Sequence, residues 1–93
     1  MSNKGTAIID FGGTATNEAS VDVTGEAAIL NTNLADAWIR AEASADHTLN
    51  DHTYAGLFIT ISCGVPTDGV GFTIYARSTE KLKGTFNLDW VWA

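Results

Sequence analysis

A chain of 93 residues with a formal net charge of −6, five Lys or Arg against eleven Asp or Glu, has no basic stripe to neutralise phosphates, so nucleic acid is not an expected partner. The same acidity repels anionic lipid, and the longest apolar run, around residues 55–61, falls far short of a bilayer span, so no membrane association is expected. Apolar residues at 45% and aromatics at 10% describe an ordinary globular chain; one domain over residues 1–93 is expected, burying about 60–65% of the surface its unfolded chain exposes.

The opening "MSNKGTAIIDFGG" has no sustained apolar stretch and no small-residue cleavage site, so Sec export is not expected. Within it, "GTAIIDFG" reads as a short β-rich segment bounded by glycines. "DFGG" matches a kinase tripeptide by chance, because no phosphate-cradling glycine loop, lysine strand or catalytic loop accompanies it. Gly12 and Gly13 supply a turn instead.

"EASVDVTG" follows, with Ala19, Val21 and Val23 alternating against Glu18, Ser20, Asp22 and Thr24, the period of a strand. A further short strand is expected at residues 26–30. The segment "LADAWIRAEASA", residues 34–45, is alanine-rich and Asn33 is a possible N-cap, so propensity alone favours a helix. Yet Ala35, Ala37, Ile39, Ala41 and Ala43 alternate without fault against Asp36, Trp38, Arg40 and Glu42, and the period predicts a strand.

"ADHTLNDHT" comes next, carrying Asp46, His47, Asp51 and His52. Two Asp-His pairs suggest transition-metal ligands. The histidines are five apart, however, which suits neither a helix face nor a strand face, and no third histidine or cysteine completes a set. A polar turn whose Asp, Asn and Thr side chains bond their own backbone is the better reading, and no metal is assigned.

Three strands close the chain. "YAGLFITISC" sets Ala55, Leu57, Ile59, Ile61 and Cys63 on one side. "VGFTIYARS" sets Val70, Phe72, Ile74 and Ala76 against Gly71, Thr73, Tyr75 and Arg77. "GTFNLDWVWA" sets Phe86, Leu88, Trp90 and Trp92 against Thr85, Asn87, Asp89 and Val91. Cys63 is the only cysteine, so no internal disulfide forms, and its place among isoleucines marks a small core residue rather than a nucleophile. Turn signals near Gly12-Gly13, Gly25, residues 31–33, 46–51, 64–69 and 78–84 recur at the spacing of a small antiparallel β-sandwich or jelly-roll-like domain of about six to eight strands.

Eleven carboxylates always allow some acid and base pair to be drawn, but the sequence pairs none of them, so no catalytic residue and no cofactor are assigned. Trp38, Tyr54 and Tyr75 stand on the polar sides of their strands. They suit either a sugar-stacking platform or an interface with a neighbouring subunit, and the interface is preferred because aromatics concentrate there.

Together, "GTAIIDFGG", "VTGEAAI", "AWIRAEASADHTLNDHTYA", "GFTIYA" and "GTFNLDWVW" resemble a group of small tailed-bacteriophage proteins of about this length. The resemblance lies in strand-and-turn texture over most of the chain and brings no catalytic signature. It implies a virion structural protein rather than an enzyme: a capsid decoration or cement protein, or a tail or fibre component, made in the host bacterial cytoplasm and residing in the virion. The implied partners are the major capsid protein or another virion protein and further copies of the chain, with a trimer the first expectation. A small carbohydrate-binding module and a metal-dependent protein centred on His47 and His52 are the alternatives from other classes.

Overall fold

The computed structural model describes residues 2–40 and 58–93. Six strands run through them: β1 (Asn3–Asp10), β2 (Thr16–Val23), β3 (Ala35–Ile39), β4 (Ile59–Cys63), β5 (Phe72–Leu82) and β6 (Thr85–Trp92). They form two three-stranded antiparallel sheets, ordered β1-β6-β3 and β2-β5-β4. The architecture is all-β and consistent with a small β-sandwich, with no helix among the described residues. Residues 41–45 of the segment expected as a strand, the turn at 46–51, and Ala55 and Leu57 lie outside the described residues, as do His47, His52 and Tyr54.

Alternation explains the two layers. Each strand turns one set of side chains inward, and those sets meet in a single core that includes Ile9, Val23, Ala37, Ile59, Phe72, Ile74, Phe86, Leu88, Trp90 and Trp92. The two central strands carry the bulk. β6 contributes Phe86, Leu88, Trp90 and Trp92, and β5 answers with Phe72, Ile74 and Ala76. Phe72 meets Trp90 edge to face at 5.6 Å and 81°, and Phe11 meets Phe86 at 5.9 Å and 88°, the arrangement that sets the positive edge of one ring on the negative face of another. Alanines on β3 leave room for these rings. That is why an alanine-rich segment with good helix propensity is a strand here: its small inward side chains, opposite Trp90 and Trp92, leave the volume that the indole rings fill.

Two glycines fix the approach of neighbouring chains. Gly5 sits opposite Trp90, and a Cβ on it would overlap the indole ring. Gly71 has φ +157°, and a Cβ there would overlap the Val23 carbonyl oxygen.

Three expectations need correction. Residues 26–30 form no strand. They cross between the sheets, with Ile29 fully buried as a plug at one end of the core, because β2 and β3 belong to different layers and the link must traverse that end. The turn expected at residues 78–84 is much shorter, since β5 runs to Leu82 and only Lys83 and Gly84 separate it from β6. Val70 is half-exposed rather than aligned with Phe72, because the chain bends at Gly71 before β5 begins.

Candidate functional site

Three surfaces stand out. The first is the outer face of the β2-β5-β4 sheet, where β5 turns Thr73, Tyr75 and Arg77 outward because Phe72, Ile74 and Ala76 point in. Register sets Tyr75 between Ser20 of β2 and Ser62 of β4, and Arg77 between Glu18 and Thr60. The Arg77 guanidinium pairs with the Glu18 carboxylate at 2.6 Å, and the Thr73 hydroxyl donates to Asp22 at 2.7 Å. Glu18, Ser20, Thr60, Ser62, Tyr75 and Arg77 line a solvent-open groove of about 750 Å³. Tyr75 is 51% exposed. Its ring leans toward Gly64, with Cε2 only 3.3 Å from where a Cβ would stand, so the ring occupies the space that a side chain at position 64 would take.

The second surface is the outer face of the β1-β6-β3 sheet. Trp38, 47% exposed, lies beside Asp89, whose carboxylate accepts a hydrogen bond from Arg40 at 3.2 Å, and Ile8 is exposed on β1 of the same face. Trp38 and Tyr75 therefore stand on opposite sides of the sandwich. The structure does not bring them together into one platform, and Tyr54 lies outside the described residues.

The third surface is the end where β2 and β4 finish and β3 and β5 begin. Leu34 (80% exposed) and Leu30 project from the β2–β3 connection, and Val65 (79% exposed) and Val70 from the β4–β5 connection. The two connections are tied together: Asn31 N–H donates to the Asp68 carboxylate, and Gly69 N–H donates to the Ile29 carbonyl. Near this end Glu26 Oε1 accepts from both the Trp92 indole at 2.9 Å and the Asn3 side-chain amide at 2.7 Å. Sequence reasoning passed over Glu26, Gly64 and the Arg77–Glu18 pair. Nothing local signals them, because each partner lies on a different strand.

The remaining candidates have structural surroundings. The Asp10 carboxylate accepts from Gly12 N–H at 2.7 Å in a side-chain-closed turn, so "DFGG" bends the chain after β1. Cys63 packs against the core, and burial, reinforced by the Asp36 carboxylate, pushes its thiol up from 9.0 to about 11. The nucleophilic thiolate is disfavoured there at neutral pH. Among the described residues no three His, Cys, Asp or Glu side chains gather as metal ligands.

No protein-family model matches the chain, and no curated protein matches it either.

Proposed function

We propose that the protein is a bacteriophage virion accessory protein, a decoration or cement protein that binds the shell as a homo-oligomer. The observation that carries this reading is the aliphatic end: Leu30, Leu34, Val65 and Val70 are exposed on two connections that are hydrogen-bonded to each other. Exposed aliphatic side chains grouped on a chain of net charge −6 suit an apolar contact better than a charge-driven one. The strand-and-turn resemblance to small tailed-phage proteins supplies the setting.

The sheet edges support assembly through ends or faces rather than by strand addition. Thr6 presents its backbone to the open side of β1, and its carbonyl accepts the Trp90 indole N–H at 3.2 Å. On β3, Ala37 N–H donates to the Asp36 carboxylate at 2.9 Å. A register shift between Thr16 and Glu18 interrupts β2, and the Asn17 side chain bridges it to the Ser78 carbonyl. Occupied or interrupted edge groups are poor templates for another strand.

Light scattering across a concentration series and protein quantitation in purified particles test the proposal together. A trimer, or another closed oligomer, present at fixed stoichiometry in intact virions is the expected result. A monomer at high concentration that is absent from particles overturns it.

A further inference from the structure

We propose that the outer face of the β2-β5-β4 sheet binds a neutral glycan, with Tyr75 as its stacking platform. The groove around Tyr75 shares no lining residue with the aliphatic end, so the inference stands or falls independently of the assembly reading.

The argument starts from Tyr75. A tyrosine on the solvent side of a central strand can stand clear of the sheet, but this ring leans into the space left by Gly64, just past the end of β4. Packing against backbone restricts the ring, and half of its surface remains open to solvent. An aromatic surface held in place on a sheet is complementary to the C–H face of a pyranose, where weakly positive hydrogens meet the negative π face. Little conformational freedom is then lost on binding.

The surroundings of the ring are hydroxyl-rich. Ser20 and Ser62 flank it across the register on both sides, and Thr60 lies one row further along β4. Each hydroxyl offers one donor and two acceptor sites, which matches the donor-acceptor character of sugar hydroxyls. The groove of about 750 Å³ accommodates a few sugar units.

Charge selects a neutral ligand. Arg77 is the one cationic side chain lining the groove among the described residues, and Glu18 already neutralises it at 2.6 Å. Asp22 borders the same face, and the whole chain carries −6. An anionic polysaccharide would meet repulsion, with no unpaired cation lining the groove among the described residues to offset it. The ion pair can still serve a neutral sugar, since guanidinium donors and carboxylate acceptors both hydrogen-bond hydroxyls.

The test is an NMR titration of the full chain with neutral penta-oligosaccharides of glucose, galactose and mannose, with a sulfated polysaccharide as the anionic comparison. At least one neutral oligomer should shift the amides of Ser20, Ser62, Gly64 and Tyr75, with Kd of about 0.1–1 mM, as a shallow open site allows. Tyr75→Ala should weaken binding at least about tenfold while the melting temperature stays near the parent, and Tyr75→Phe should retain it within a few-fold because the ring remains. Gly64→Ala, which pushes the ring from its seat, should fall between them. The proposal is overturned if no neutral oligomer shifts this face up to about 10 mM. It is equally overturned if Tyr75→Ala binds as the parent does, or if the sulfated chain binds this face in preference.

Discussion

At the scale of single residues, the positions that tolerate least are those where two chains touch. Gly71 is the sharpest case: its φ of +157° and the overlap a Cβ would make with the Val23 carbonyl act together. Gly71→Ala is expected to cost about 2–4 kcal/mol, combining backbone strain with overpacking. Gly12, with φ +86° and open space around it, offers the contrast. Its alanine variant meets only the conformational penalty of about 1–2 kcal/mol. Urea denaturation of the two variants separates steric from conformational cost, and equal losses would mean the Gly71 contact is relieved by a small shift of β2. Cys63 gives a pH prediction. Its folded-state value of about 11 lies above the ordinary 9.0, so between those values the unfolded chain releases a proton that the folded chain keeps. The contribution is fully present below about pH 9 and is lost as pH rises through about 11. The parent should therefore lose more stability than Cys63→Ala over that window, as read from urea midpoints at successive pH values.

At the scale of elements, β6 organises the molecule. It pairs with β1 on one side and β3 on the other, and it carries four buried side chains in eight residues. Trp90 joins three of these roles: its ring packs on Phe72, lies over Gly5, and donates to the Thr6 carbonyl at the open edge of β1. Trp90→Ala is expected to cost about 3–5 kcal/mol, the range for deleting a large buried aromatic. Trp90→Phe keeps a ring but frees the Thr6 carbonyl, so it should lose less stability and yet aggregate more readily on heating, through pairing at the uncovered edge. Denaturant midpoints and turbidity during a thermal ramp read the two effects separately. Parent-like behaviour of both variants would contradict the account of the core and of the edge.

At the scale of the whole molecule, stability of the order of 5–15 kcal/mol leaves little reserve for a chain of this size. Burying the aliphatic end against another copy or a shell protein would add to it by mass action. Leu34→Asp combined with Val65→Asp should abolish association without lowering the melting temperature of the monomer, because both side chains are largely exposed. Association of the parent should survive an increase in salt from about 0.1 M to 1 M, since screening weakens charge contacts and leaves apolar ones. Sedimentation of parent and variant at both salt concentrations checks this, and dissociation of the parent at high salt would point to charged groups at the contact instead.

Strand identity was legible in the sequence wherever one face is dry. Phe86, Leu88, Trp90 and Trp92 announce β6, and Phe72, Ile74 and Ala76 announce β5, because a period of two is a local property that each strand carries by itself. Even β3 was readable against its helix propensity, since alternation reports burial and burial outweighs a few tenths of a kcal/mol per residue. Partnership was not legible. That β6 is central, that residues 26–30 cross an end of the core instead of pairing, and that Trp38 and Tyr75 face opposite sides all follow from which strand joins which sheet. The candidate site divides the same way. Alternation placed Tyr75 and Arg77 on one outward face, but Ser20, Ser62, Gly64 and Glu18 join them only through cross-strand register, and hydrogen bonds between residues as far apart as Glu18 and Arg77 leave no mark on local pattern. The sequence determined which side of each strand is dry, because that depends on neighbours two residues away; tertiary structure decided which dry sides meet and which wet sides form a surface, because that depends on chain crossings whose energies are spread over the whole core.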